Sequence, residues 1–289
     1  MQKKILGTYG NDRGHWVGDG FPVRSLFSYS QFGTHLSPFL LLDYAGPHEF
    51  KPTDARRGVG EHPHKGFETV TIVYDGEVEH RDSSGGGGII GPGDVQWMTA
   101  GNGVQHEEFH SPAYAKTGGS FRMVQLWVNL PAKDKAVPAA YQTLLAGNIP
   151  TIPLAHDAGQ LRIIAGDYEG NHGPARIFSP LNVWDGVLNE GAQVTLDLPK
   201  GHNAAIVSLE GHLILNGTQE LGAAQFALLG HEGAAVTLQA SRASSFLVLT
   251  GEPLNEPIAG YGPFVMNTQE EIRQAIEDFN GGRFGGIHA

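Results

Sequence analysis

The chain has 289 residues, 40% hydrophobic and 17% charged, which marks a globular sequence with room for two cores. A net charge of −11 without a basic cluster argues against gripping a phosphate backbone or an anionic membrane surface. The absence of cysteine excludes disulfides, thiolate metal sites and cysteine nucleophiles, so any metal must be held by histidine and carboxylate.

The chain begins MQKKILGTYGNDRGHW, with two lysines but no apolar stretch of signal-peptide length, and no run of about 18 apolar residues follows anywhere. A cytoplasmic location is expected. Glycine and proline then punctuate short β-type runs: ETVTIVY, VQWMT and FRMVQLWVNL, and later AQVTLDL, AAIVSLEGHLIL, FALL, AAVTLQA and SSFLVLTG. Asp75-Gly76 reads as a tight hairpin turn, SSGGGG (83–88) as a flexible connection and GPGD (91–94) as a turn before a strand. LEGHL and LNGTQ read as successive hairpin ends. The rhythm predicts an all-β chain of sandwiches or barrels, without the alternating helices of a doubly wound sheet.

Between WVNLP and RIIAG, a Pro- and Ala-rich segment lacks strand periodicity and sets a domain boundary near residue 150, giving 1–150 and 151–289. One helix is predicted over 267–280. Asn267 reads as its N-cap with Glu270 three residues on, and Ile272, Ala275, Ile276 and Phe279 form its apolar face.

The residues fit for chemistry cluster in two places. In GEHPHKGFETV, His62 and His64 stand at i and i+2, which share a face of a strand, while Pro63 favours an edge or a strand start. In VQHEEFH, His106 and Glu108 share a face and Glu107 points away. Three imidazoles and one carboxylate suit Fe(II), Mn, Co, Ni, Cu or Zn. Glu68 has the strand parity of His62 and His64 and is expected either to receive an imidazole N–H or to lie solvated or paired. The later histidines, 156, 172, 202, 212, 231 and 288, form no His-X-His pair, so no metal is expected in that half. GGGIIG (86–91) fits a nucleotide-loop pattern formally, but Pro92, Gly93 and Asp94 cannot open the helix that mechanism needs. No G-x-S-x-G nucleophile elbow occurs, and Trp97, Trp127 and Met123 read as core.

HPHKGFETV, PGDVQWMTAGNGVQHEE and QLWVNLP, with SPFLLLDYAG upstream and GEPLNEPIAGYGPFVMNT near the C-terminus, together resemble the pirin family of the cupin superfamily, from about Gly14 to about Phe279. The resemblance implies a bicupin: two stacked β-barrels of jelly-roll type, with few short helices and one C-terminal helix. It implies one metal ion in the N-terminal barrel, Fe(II) foremost, on His62, His64, His106 and Glu108. The wider cupin pattern places a liganding Glu near Glu68; the pirin pattern uses Glu108. Several pirins resemble quercetin 2,3-dioxygenases, which implies a small phenolic substrate, dioxygen and a catalytic Glu108. The family also resembles metal- or redox-sensing regulators that dock on a transcription factor or metabolic enzyme, so a protein partner is the alternative. A third class is an isomerase or epimerase, because a fold does not fix a function. Neither direct nucleic-acid binding nor membrane binding is expected.

Overall fold

Residues 1–287 are described by the structure, a computed structural model. The β-branched and aromatic runs form antiparallel strands, with ETVTIVY inside Phe67–Asp75, VQWMT as Val95–Thr99 and FRMVQLWVN inside Gly119–Asn129. Among the described residues no helix is long and apolar enough to cross a membrane.

The chain divides into two compact units that do not follow chain order. One unit comprises Arg13–Tyr29, Phe39–Ala146 and the chain from Asn255 onward; the other comprises Met1–Asp12, Ser30–Pro38 and Gly147–Leu254. The internal break falls at Ala146/Gly147, but the chain ends are exchanged relative to a simple cut at residue 150. The N-terminal strand Ile5–Gly10 pairs with Gln225–Leu229, at the edge of the second unit's sheet. The C-terminal helix packs on Ala259, Phe264, Met266 and Phe284 in the first unit. Strand rhythm marks where strands occur but does not say which strands pair, so this exchange leaves no trace in periodicity.

In the first unit a seven-stranded sheet runs in the order Ala140–Leu144, Val95–Thr99, Phe67–Asp75, Gly119–Asn129, Phe39–Phe50, Phe21–Ser28, His15–Val17. Its first strand lies in the segment that showed no periodicity. A four-stranded sheet runs Gly58–His64, Val104–His110, Val78–Asp82, Gly87–Ile90. Pro63 accordingly lies on an edge strand, where its missing N–H costs no ladder bond. GGGIIG is mostly the strand Gly87–Ile90, and no helix opens after it. Asp75-Gly76 is not a hairpin: the strands on either side belong to different sheets, so the turn, with Gly76 at φ 84°, is a corner between them.

The inward face of this unit is graded along the strands. Gln96, Thr71, Gln125, Asp43 and Ser25 are paired in register across five strands and form one polar row, which Thr143 continues, exposed, on the edge strand. Two residues along, Val73, Met123, Ala45 and Val23 join Phe21, Phe50 and Phe121 in an apolar plug. In the other direction lie Met98, Thr69, Trp127 and Leu41.

The second unit is built on one nine-stranded sheet. Its interior is filled by Trp184, Leu196, Leu213, Leu238, Phe246 and Val248. AAVTLQA and SSFLVLTG prove to be one strand, Ala235–Gly251, paired through one half with Gln193–Asp197 and through the other with Leu181–Leu188. LEGHL does not end a hairpin; it lies within the strand Asn203–Leu215, which passes through with register shifts at Glu210 and His212. LNGTQ does turn the chain, into Gln219–Gly222.

The helix spans Gln269–Asn280, capped by Thr268 rather than Asn267: Thr268 accepts from the Glu271 N–H, and the Glu271 carboxylate accepts from the Thr268 N–H at 2.8 Å. The capping box is thus shifted by one residue, while Asn267 instead donates its amide to Pro257 O at 2.9 Å. Ile272 and Ala275 are buried as expected, with Ile276 and Phe279 packed beside them. Thr268→Ala should cost about 1 kcal/mol in denaturant unfolding and speed hydrogen exchange at the Glu271 amide. Asn267→Ala should leave that amide protected; the reverse order would reject this cap.

Candidate metal centre

The edge strand Gly58–His64 opposes Val104–His110 with a bulge: His62 faces His106 and His64 faces Val104, but Glu108 faces Val59. Two residues, Gly60 and Glu61, therefore oppose Glu107 alone. The bulge leaves the Gly60 carbonyl at 2.8 Å from His62 Nδ1, which donates to it, so the lone pair of His62 is on Nε2. Ring centroids of His62 and His106 are 4.2 Å apart, His62 and His64 5.0 Å, and His64 and His106 4.8 Å. One ligand atom from each lies within 4.8 Å of the others. Burial, then the neighbouring His62, hold His64 well below its ordinary pKa; burial, then His64 and His62, do the same for His106. These two rings are neutral. His64 Nδ1 and His106 Nε2 are buried without a hydrogen-bond partner. Buried polar atoms rarely go unpaired, so orphaned nitrogens converging on one point fit a metal ion.

Glu108 lies with His106 in a second group, completed by His80. Its Oε1 accepts from Thr71 Oγ1 and Gln96 Nε2, both at 3.2 Å; the one hydroxyl hydrogen of Thr71 is then committed, so the Gln125 amide, 2.7 Å from Thr71 Oγ1, is set to donate to it. His80 is fully buried opposite Glu108 on the paired strand. Asp82 is pushed up by burial but held below its ordinary pKa by hydrogen bonds from His80 and Ser84. Beside His64 stand the half-buried Trp127, at a centroid distance of 5.3 Å, and Phe67, itself 4.3 Å from Trp127. Trp127 thus lines the centre, whereas Met123 belongs to the plug and Trp97 is buried on the opposite face of its strand.

His110 shares the parity of His106 and Glu108 but sits among Phe50 and Phe121, at 4.6 and 4.8 Å, and donates Nε2–H to Gly20 O at 2.9 Å. The gradient along the strand carries it into the plug. Glu107 points away to Arg81 and Arg56. The expected imidazole contact of Glu68 is corrected. Parity does not carry through the turn at Lys65-Gly66, where Gly66 has φ 90° and a Cβ would meet Val265 O at 2.0 Å. Glu68 therefore faces away from Thr71, buried, with Thr99 Oγ1 donating to it at 2.8 Å. It is neither solvated nor beside a histidine ring. Sequence reading also missed His80, Asp82, Gln96 and Thr71, although His80 and Asp82 stand at the same i, i+2 spacing as His62 and His64. Of the later histidines, 202, 212 and 231 bond Thr250, Ser241 and Asn203, and exposed His172 pairs with Asp167. His156 lies in a short 3-10 turn, and His288 lies outside the described residues.

Burial pushes the Glu68 carboxyl from 4.5 up to about 7 against the Thr99 hydrogen bond. Between those values the folded chain keeps a proton that the unfolded chain has released, so this group's contribution to stability falls as pH rises. Glu68→Gln, which cannot ionise, should be more stable than the native chain at pH 8 by on the order of 1–3 kcal/mol, with the gap closing toward pH 4.5. A gap independent of pH in parallel denaturant titrations would reject this assignment.

The pirin family matches residues 20–128, and the pirin C-terminal cupin domain matches residues 183–285. A Pseudomonas aeruginosa protein named "Putative quercetin 2,3-dioxygenase" is 60% identical over 286 residues, covering 99% of this chain and 100% of that one. Pirin of Mus musculus is 37% identical over 260 residues, 87% of this chain and 84% of its own. The crystal structure of quercetin 2,3-dioxygenase from Acinetobacter baumannii superposes with a TM-score of 0.98 at 59% identity, covering 100% of both chains. The architecture is thus the mostly-β bicupin with a C-terminal helix that the motifs imply, and the chain belongs to the pirin family.

Proposed function

We propose that the first unit is a metal-dependent dioxygenase site that opens a flavonol-type ring with dioxygen. The observation that carries this reading is the convergence of buried imidazoles with orphaned nitrogens beside a carboxylate, Glu108, held by the neutral donors Thr71 and Gln96. His62, His64, His106 and Glu108 would hold one divalent transition metal, Fe(II) foremost, with Mn, Co, Ni, Cu and Zn suited to the same donors. When bound, the metal supplies Lewis acidity toward a deprotonated phenolic oxygen.

Glu108 takes the proton of the flavonol 3-hydroxyl. Thr71 and Gln96 steady its Oε1, so Oε2 is the atom that accepts. Trp127 and Phe67 wall the centre beside His64, an aromatic surface that suits a planar phenolic and keeps water from it. The flavonolate then takes up dioxygen across its C2–C4 region. The ring opens to an ester that keeps both oxygen atoms of dioxygen, and C3 leaves as carbon monoxide with the former hydroxyl oxygen. The 60% identical relative named for this activity and the 59% identical crystal structure support the substrate class.

Protein loaded with a single metal of verified occupancy should consume oxygen and release carbon monoxide with quercetin. A chelator or His62→Ala should abolish uptake, and Glu108→Gln should slow it by about 10²- to 10⁴-fold. No uptake with any of Fe, Mn, Co, Ni, Cu or Zn overturns the reading and turns attention to the family's regulatory role, read out by metal-dependent capture of a protein partner.

A further inference from the structure

Asp82 and His80 stand directly opposite His106 and Glu108 on the paired strand. Asp82 Oδ1 accepts from Ser84 N at 2.8 Å, Ser84 Oγ at 2.6 Å and Gly86 N at 3.0 Å, the pattern of an ionised carboxylate fixed in place. Its other oxygen lies 3.1 Å from His80 Nε2, which must therefore carry a hydrogen. At the far side of that ring, Gln96 Nε2 lies 2.8 Å from His80 Nδ1 and 3.2 Å from Glu108 Oε1. The opposite setting of the amide would turn its oxygen toward the Glu108 carboxylate, so Gln96 donates to both. His80 Nδ1 is then a lone pair. It lies 3.4 Å from His106 Nδ1, and two facing lone pairs would repel, so His106 Nδ1 carries the hydrogen. The lone pair of His106 falls on Nε2, the buried nitrogen without a partner. Tyr141 stacks on His80 at 4.8 Å and fixes the plane of the ring.

We infer that Asp82 and His80 are positioning residues that fix His106 in its Nδ1–H tautomer, so that Nε2 is the nitrogen a metal meets. The inference rests on the metal-centre reading above, but its first readout needs no metal. His80, His106 and Glu108 also form a group of metal-ligand type, which would make His80 a ligand in its own right. Against that, the one His80 Nδ1 lone pair is already shared between the N–H groups of Gln96, at 2.8 Å, and His106, at 3.4 Å, and Glu108 Oε1 already accepts from Thr71 and Gln96.

The test is nitrogen-15 NMR of histidine-labelled, metal-free full-length protein, with the His106 signals assigned by their loss in His106→Gln. Native protein should show His106 Nδ1 protonated and Nε2 bare. His80→Ala should give a mixture of tautomers. Asp82→Asn, whose amide can donate to His80 Nε2, should reverse His80 and with it His106. His80→Asn, which keeps an acceptor near the place of Nδ1, should retain the native tautomer. Competition with a chromophoric chelator, using zinc or cobalt, should show about 10- to 100-fold weaker binding for His80→Ala and Asp82→Asn and near-native binding for His80→Asn. An unchanged His106 tautomer in both His80→Ala and Asp82→Asn overturns the inference. So does a stoichiometry of two metals per chain that drops to one in His80→Ala. Failure of the metal-centre reading itself would appear separately, as undiminished zinc binding in His62→Ala.

Discussion

Buried imidazole rings packed against one another cannot hold a charge, and much of the centre follows from that. Desolvation disfavours each imidazolium, and neighbouring rings disfavour it further, so His64 and His106 stay neutral. A neutral imidazole has one donor and one acceptor nitrogen, and a buried one must commit each of them. His62 commits its donor to a carbonyl that a bulge has freed from the ladder. His106 faces His80 through Nδ1, and its Nε2 is buried without a hydrogen-bond partner. The surrounding sheets are arranged so that what is left uncommitted points to one place.

The gradient along the inward face makes that arrangement affordable. A polar row of side chains across five strands would be costly in an apolar interior if its members lacked partners. Here Ser25 bonds Asp43 at 2.5 Å, Thr71 bonds Gln125 and Gln96 bonds both His80 and Glu108. The aromatic plug beneath shuts one end, which keeps the row's hydrogen bonds in a medium where they are strong. The same gradient sorts three residues of identical parity, placing His106 and Glu108 in the polar zone and His110 in the plug.

Much of this could be read from the sequence because alternation in a strand is a strict geometric rule. His62 with His64, and His106 with Glu108, converge as the i, i+2 spacing requires. The rule failed where it was carried across a break: Gly66 turns the chain, and Glu68 emerges on the opposite face. It was also left unused at His80 and Asp82, since a single His-X-Asp in EVEHRD says nothing until strand pairing sets it opposite His106. Asp75-Gly76 misled for a related reason. A tight turn looks alike in sequence whether the chain doubles back in one sheet or crosses to another, and the difference lies in long-range pairing. The exchange of chain ends between the units is hidden in the same way.

The second unit shows what the strand rhythm leaves undecided. Its runs alternate as the first unit's do and its strands are as long, yet its interior is closed by Trp184, Leu213, Phe246 and their neighbours. Such side chains pack as an apolar core, and none of them is a histidine or a carboxylate. Alternation therefore builds the shell in both units, and the identity of the inward residue at each step decides whether the shell holds a chemical centre or a solid core. In the first unit the polar choice recurs on five neighbouring strands at one level, and His80 and Glu108 of the facing sheet meet that level. A lone buried histidine would carry little meaning in such a fold. A histidine that meets Gln96 from the facing sheet, as His80 does, rather than a Leu or Val there, marks a level of the interior that the sequence keeps polar.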